Sequence, residues 1–253
     1  MFDKRIILPF ISLFCVLSIW ELTTRFSGWS SNVFPGPIAV MTSGWALIEN
    51  GLLLKHTVAS LFRVSIGFFL AVVLGVPLGI VLGRLDIAKI LFNPLVQFLR
   101  PISPLAWIPL AMLWFGIGDP PAIFLIFLSS FFPMIVSTSV AVESIRPTFF
   151  QVAANFNFSR RKVITKIVIP AITPQVITAL RLTITIAWLV VVAAEMIAVQ
   201  SGLGYLILDA RNALRMDYVM VAMITIGFIG LFLDFVMRSL GNIESTAWGR
   251  LTK

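Results

Sequence analysis

Few side chains in this sequence can do chemistry, and most of those stand in apolar surroundings. Glu195, in Val192-Ala193-Ala194-Glu195-Met196, has no other charge beside it. A carboxylate in hydrocarbon costs roughly 2.5–3.5 kcal/mol on insertion scales, so Glu195 is expected either to pair as a structural tie or to face water in a gate or path. Asp234 has Arg238 one helical turn on and is expected to pair with it. His56, the sole histidine, follows Lys55 and leaves no partner for a histidine metal site or a Ser-His-Asp triad. It is expected to be a wet histidine at the mouth of an apolar segment. The sole cysteine, Cys15, excludes an intrachain disulfide and a cysteine-rich metal site, and is expected to pack as a small apolar residue. No Gly-x-x-x-x-Gly-Lys-Ser/Thr run occurs, so no P-loop cradles phosphates. Gly202-Leu203-Gly204 follows a helical apolar run and not a strand, which makes it a turn and not a dinucleotide fingerprint. No nucleophile–base or metal constellation can be assembled, so no catalytic residue is assigned.

The elements around these groups belong in a bilayer. The chain is 59% hydrophobic and only 12% charged, with a mean hydropathy of +1.01, whereas soluble domains carry about a quarter charged residues. Runs able to cross about 30 Å of hydrocarbon fall near Ile6–Leu22, Thr57–Gly83, Ile90–Phe115, Ala122–Val142, Ala171–Val199 and Tyr218–Leu240. Six crossings in one transmembrane domain, 1–253, put both termini on the same side. With the termini cytoplasmic, the inside holds Lys4, Arg5, Arg84, Lys89, Arg146, Arg160, Arg161, Lys162, Lys166, Arg238, Arg250 and Lys253, against Arg25, Lys55, Arg211 and Arg215 outside. Arg63, Arg100 and Arg181 fall within or at the ends of spans. The formal charge of +8 is therefore topology and not a nucleic-acid footprint, since no stacking platform accompanies it. Lys4-Arg5 before an apolar run has the look of a signal, but no small-x-small cleavage site follows, so an uncleaved first span is expected.

Breaks and ridges organise the spans. Phe34-Pro35-Gly36-Pro37 interrupts the chain, and Ile38–Leu54 reads as an outer-surface amphipathic helix. Gly67, Ala71, Gly75, Gly79 and Gly83 put a small residue at every fourth position, a ridge against which another helix can pack closely. Pro94, Pro101, Pro104 and Pro109 cannot share one unbroken helix. Unwound turns at membrane depth line cavities, which makes Gln97, Arg100 and Ser103 candidates for a translocation path, with Arg100 snorkelling to the interface as the alternative.

One polar, basic segment stands between apolar ones: Gln151-Val152-Ala153-Ala154-Asn155-Phe156-Asn157-Phe158-Ser159-Arg160-Arg161, running on to Ile167-Val168-Ile169-Pro170. Phe149, Val152, Ala153 and Phe156 fall at i, i+3, i+4 and i+7, giving a short helix one apolar stripe, with small Ala153 and Ala154 allowing close approach. A helix this short gains most of its order from docking. Ser159 is placed to cap the next helix. Arg160, Arg161 and Lys162 sit where the helix dipole disfavours cations, so anionic lipid headgroups or acidic residues of a cytosolic partner must favour them.

This spacing resembles the cytoplasmic coupling loop of ABC-importer permeases: Glu-Ala-Ala, three residues, Gly, nine residues, Ile-x-Leu-Pro. Gln151 stands for the usual Glu, Val152 for the first Ala, and Asn157 for Gly, while Ile167 and Pro170 keep their places. Asn is the mildest replacement where a helix ends left-handed. Thr57-Val58-Ala59-Ser60-Leu61-Phe62-Arg63, Pro101-Ile102-Ser103-Pro104-Leu105-Ala106-Trp107-Ile108-Pro109-Leu110, Trp114-Phe115-Gly116-Ile117-Gly118, Ala193-Ala194-Glu195-Met196 and Ser201-Gly202-Leu203-Gly204-Tyr205-Leu206-Ile207 resemble its nitrate, sulfonate, taurine and bicarbonate branch. The likeness covers about 52–240, with the coupling loop at about 143–170.

The resemblance implies an all-α integral membrane protein with six transmembrane helices, the type I ABC-importer permease fold with a cytoplasmic coupling helix. It implies a multi-pass subunit of a bacterial-type inner membrane, paired with a second copy of itself, an ATP-binding ABC subunit that holds ATP and Mg, and an extracytoplasmic substrate-binding protein. Gln151, Val152, Ala153, Ala154, Asn157, Ser159, Arg160 and Arg161 would meet the ATPase. Gln97, Arg100, Ser103 and Glu195 would serve the path of a small oxyanion. A thiamine-precursor or riboflavin importer is the alternative within the family. A secondary transporter driven by an ion gradient is the rival from another class, with only Glu195 and Asp234 to carry ions.

Overall fold

A computed structural model describes residues 4–26, 28, 30 and 33–241, and among these the secondary structure is helical throughout. In chain order the helices are α1 (Lys4–Phe26), α2 (Pro37–Glu49), α3 (Leu52–Arg84), α4 (Asp86–Leu99), α5 (Ile108–Phe115), α6 (Asp119–Glu143), α7 (Pro147–Asn155), α8 (Arg160–Val163), α9 (Ile169–Ala198), α10 (Leu203–Asn212) and α11 (Met216–Gly241). A 3-10 turn, Pro104–Trp107, precedes α5, and a π turn, Ile164–Val168, joins α8 to α9. Pro170 and Pro174 remove successive donors from this stretch, and the π turn just before them resets the hydrogen-bond register.

Four helices among the described residues are long and apolar enough to cross a membrane alone: Leu52–Arg84, Asp119–Glu143, Arg160–Ala198 and Met216–Ser239. The expected third span is not one rod. Its prolines bend Asp86–Leu99 against Pro104–Phe115 by 87°, the geometry of a broken span or of a re-entrant loop. The 23-residue α1 contains the expected first span and bears exposed Leu13, Phe14, Val16 and Ile19, a surface suited to lipid. The shared side of the termini rests partly on Lys4, Arg5, Arg250 and Lys253, and the side chains of the first two and the whole of the last two lie outside the described residues.

The core is the packing of α3, α6 and α9. A Cβ added to Gly67 would lie 2.7 Å from Ile126 Cγ2, one at Gly79 2.6 Å from Thr138 Cβ, and one at Gly83 2.7 Å from Val142 Cβ. The glycine ridge of α3 is therefore pressed against α6, in the manner by which helices associate where burial gives no drive. Val64, Ile126, Ile184, Ala187, Trp188, Val191 and Leu203 form the central cluster, joining these helices to α10. Trp188 Nε1 donates to the Ile226 carbonyl at 3.0 Å and ties α11 to α9. The surface helix ends at Glu49, short of the expected Leu54, because Gly51 takes φ 71° and Leu52 opens α3. Leu52 N–H donates to Asn50 Oδ1 at 3.0 Å across that break.

Candidate functional site

Two ends of the α3–α6–α9 core carry the polar groups. Arg63 and Arg84, on α3, stand about 30 Å apart along the helix axis. At the Arg63 end lies a closed ionic knot. Arg63 Nη1 donates to Glu195 Oε1 at 2.6 Å and to the Ser201 carbonyl at 2.8 Å, while Nη2 donates to Ser201 Oγ. Arg63 Nε reaches Asp119 Oδ1, in the first turn of α6, at 2.8 Å. Ser60 Oγ donates to Glu195 Oε2 at 2.8 Å and accepts from Leu203 N–H at 2.9 Å. Gly204 N–H adds a 3.0 Å bond to Glu195 Oε2, and Gly202 N–H donates to His56 Nδ1 at 3.0 Å. Three successive backbone donors opening α10 are thus satisfied by side chains from α3 and α9, and the carboxylate sits at the positive end of the α10 dipole.

Glycine is required in this clasp. Gly202 has φ 104°, and a Cβ there would overlap the Glu195 carboxylate, while one on Gly204 would strike the Val192 carbonyl. Glu195 is 0% exposed and Arg63 2%. Of the two roles open to Glu195, this geometry fits the tie and removes it from a water-facing path. His56, at 5% exposed, is likewise not wet, because α10 folds over the mouth of α3 and covers it. Arg63, Ser60, Asp119 and Ser201 join the knot without being among the site residues expected from the sequence. The available signal was a lone arginine inside one span and a lone carboxylate inside another, each costly without the other.

At the Arg84 end lies the polar segment. Proline after Arg146 starts α7, and the helix closes on a Schellman motif: Asn157 N–H donates to the Ala154 carbonyl at 3.0 Å and Phe158 N–H to the Ala153 carbonyl at 2.9 Å. Asn157 occupies the left-handed position with φ 49°. Ser159 caps α8, accepting from Lys162 N–H at 3.5 Å. Gln151, Ala154, Arg160 and Arg161 are exposed, as are Val152 at 48% and Phe156 at 73%. Ala153 departs from the expected docking stripe: at 3% exposed it is turned into the chain itself. The outward face of the helix is therefore Val152 and Phe156 with Ala154, and Ala153 seats the helix. Arg84 lies over the Phe150 ring at 4.1 Å, clamping α7 to the end of α3. Ala141, Val142, Ile145, Val168 and Ile172 form the apolar floor beneath, with Phe150, Val163 and Ile167 packed on it.

The candidate path residues separate. Gln97 lines a cavity of about 170 Å³ between α4 and α6 and donates to Asn93 Oδ1 at 3.5 Å. Arg100 is exposed at the break after α4, on the rim of a second cavity of about 280 Å³ with Trp107, Ser129 and Phe132. Ser103 opens the 3-10 turn, its carbonyl accepting from Ala106 N–H at 3.0 Å. Glu195 is in the knot, apart from all three. Asp234 pairs with Arg238 at 3.0 Å as expected, and also with Arg181 of α9 at 2.5 Å.

Comparison with known proteins gives this geometry a family. Residues 75–243 match the model of the binding-protein-dependent transport system inner membrane component. A Methanocaldococcus jannaschii protein named as an ABC transporter permease is 41% identical over 82% of this chain and 78% of its own. The nitrate import permease protein NrtB of Synechocystis sp. is 33% identical, covering 96% and 90%. The bicarbonate transport system permease protein CmpB of Synechococcus elongatus is 34% identical, covering 90% and 86%. An inward-facing structure of the MetNI methionine ABC transporter superposes with a TM-score of 0.61 at 18% identity, covering 78% of this chain and 95% of that one, which places the fold in the type I importer class. With the core, the bent helix pair and these relatives in agreement, the chain belongs to the binding-protein-dependent inner membrane components, the permeases of ABC importers, which work with ATP-binding subunits and a substrate-binding protein.

Proposed function

We propose that this chain and a second copy of it form the path of a small oxyanion, of the class of nitrate, bicarbonate or a sulfonate such as taurine, across the inner membrane. A separate ATPase holds the ATP and Mg, and the segment 143–170 carries its stroke into the permease. The chain forms one transmembrane domain over 1–253 with both termini cytoplasmic, and a binding protein delivers cargo at the end that bears the knot. The observation that carries the cargo class is Arg100. Among the described residues its guanidinium has no ion-pair or hydrogen-bond partner, and it stands at the break of a membrane helix over a cavity. A cation in that position needs water or an anion beside it. The cargoes named for the Synechocystis and Synechococcus relatives, nitrate and bicarbonate, are oxyanions.

The mechanism follows from the two ends. Val152 and Phe156 offer apolar grip, and Arg160 and Arg161 offer charge to an acidic or anionic surface. Movement of α7 is delivered to α3 through the Arg84–Phe150 contact and to α9 through the continuous Arg160–Ala198 stretch. Both helices end in the knot, so a push at one end reaches the other as a rigid-body tilt and is not lost in bending. The test is uptake by proteoliposomes holding permease, ATPase and binding protein, offered nitrate, bicarbonate and taurine in turn. ATP-dependent uptake of one of them is expected, falling at least tenfold in Arg100→Ala. If none of the three is taken up or stimulates ATP hydrolysis, the oxyanion class is overturned and the family stands.

A further inference from the structure

We infer that the Lys89–Glu143 ion pair is a latch, made and broken once per transport cycle, through which the coupling helix controls access to the polar face of α4. The inference rests on the proposed function for its orientation, with the coupling end in the cytoplasm. Four observations carry it.

Asp86, Lys89, Asn93 and Gln97 fall within an arc of about 80° on α4, and Arg100 continues that line into the break. The opposite side bears Ile87, Leu91, Leu95 and Phe98, all exposed, which is the lipid-facing pattern. A polar line in a membrane helix marks a wet route. It meets the cavity of about 170 Å³ lined by Leu82, Lys89, Asn93, Gln97, Ser139 and Glu143.

α4 is built to move. A single residue, Leu85, with φ −115° and ψ 109°, joins it to α3, and an 87° break follows it. Across the cavity it is fastened by an apolar spot, Val96 with Leu82 of α3 and Ile135 of α6, and to the end of α6 by Lys89 Nζ to Glu143 Oε1 at 3.0 Å. Ser139 Oγ donates to the same carboxylate oxygen at 3.2 Å and holds it in place.

The pair is weak by design when set beside the knot. Its side chains are 44% and 39% exposed, against 2% and 0% for Arg63 and Glu195. Water competes for such a pair, so it can break and reform without unfolding anything.

The coupling helix touches both sides of the gap. Glu143 is the last residue of α6, and only Ser144, Ile145 and Arg146 separate it from α7. Phe150 of α7 holds Arg84, which immediately precedes the Leu85 hinge. Displacing α7 therefore shears Glu143 against Lys89, a two-state contact biased by the motor.

The test reads access to Asn93. In a Cys15→Ser background, Asn93→Cys is exposed to a charged, membrane-impermeant methanethiosulfonate on the cytoplasmic face of inside-out vesicles. The vesicles carry the permease with its ATPase and binding protein, without nucleotide or trapped with ATP, Mg and vanadate. With the pair intact, the labelling rate is expected to differ at least tenfold between the two conditions. Lys89→Met or Glu143→Gln should bring the two rates together, and the exchanged pair Lys89→Glu with Glu143→Lys should restore the difference. The latch is overturned if the single variants keep the difference, if the intact pair shows none, or if the exchange fails to restore it, since a merely structural role would not be rescued by reversing both charges. Labelling from the external face alone would instead overturn the orientation given under the proposed function, and the latch with it. Because no cargo enters this assay, its result is independent of the oxyanion class.

Discussion

The two ends of α3 handle charge in opposite ways. Around Arg63 the polar groups answer one another, two carboxylates, two hydroxyls, a histidine and three backbone N–H groups, and of their side chains Arg63, Glu195, Ser60 and His56 are buried while Ser201 is part-buried and Asp119 half-exposed at the rim. Around Arg84 the cations and apolar side chains stand exposed, and what holds them internally is a ring contact, a helix cap and a three-residue connection. A machine that transmits a stroke needs both. The closed end fixes the geometry of α3, α6, α9 and α10 against one another, and under the proposed function the open end keeps surface free for a partner to grip. Substitutions at the two ends should therefore separate folding from coupling.

The largest effect is expected at the closed end. Arg63→Ala leaves Glu195 buried beside Ser60 and the α10 amides with no cation, and removing one member of a buried pair costs about 3–5 kcal/mol. Thermal unfolding of the purified permease in detergent, followed by size-exclusion recovery, should show the loss. Arg63→Lys should fall short of rescue, because an ammonium cannot serve Glu195, Ser201 and Asp119 in the fork geometry that a guanidinium provides. Full stability in Arg63→Ala would make the knot a bystander and erase the contrast.

Next in size is a pair of neighbours at the open end. Ala153→Asp puts a carboxylate at a position 3% exposed, with an expected cost of about 2 kcal/mol or more. Val152→Asp, at a position 48% exposed, should change stability by no more than about 0.5 kcal/mol, yet lower ATP-driven uptake at least tenfold by placing charge in the docking face. The same melting assay and proteoliposome uptake separate them. Equal uptake in Val152→Asp and the parent would show that this face meets no partner.

How far each end was legible follows from what fixes it. The spacing of the coupling segment is local, so the helix start at Pro147, the left-handed Asn157 and the Ser159 cap could all be read from neighbouring residues. The glycine ridge was legible for the same reason, since its fourfold spacing fixes one helix face before any partner is known. The bend at the proline run was legible as a break but not as an angle. The knot was not, because its members lie up to 146 positions apart, as with His56 and Gly202, and only the folding of α10 over α3 brings His56 out of water. Ala153 failed for a subtler reason: a stripe at i, i+3, i+4 and i+7 names an apolar face, and a helix lying on its own bundle divides that face between the body and the outside.

The smallest expected effect tests the joint between helix and loop at the open end. Asn157 holds φ 49°, where an L residue with a Cβ is disfavoured by roughly 1–2 kcal/mol and Asn less so. Asn157→Gly removes that cost but adds freedom to the unfolded chain, so the two should cancel to within about 0.5 kcal/mol. Asn157→Ala should cost about 1 kcal/mol, and because the strain sits where Phe158 and Asn157 donate back into α7, it is relieved most easily by fraying that turn. Fraying moves Phe156, so the Ala variant should lose uptake beyond what its stability change explains, while the Gly variant keeps it. Measured uptake per folded permease decides the matter: a fall in both variants alike would mean that the amide of Asn157 itself touches the partner, and a fall in neither would mean that the coupling face tolerates a loosened seat.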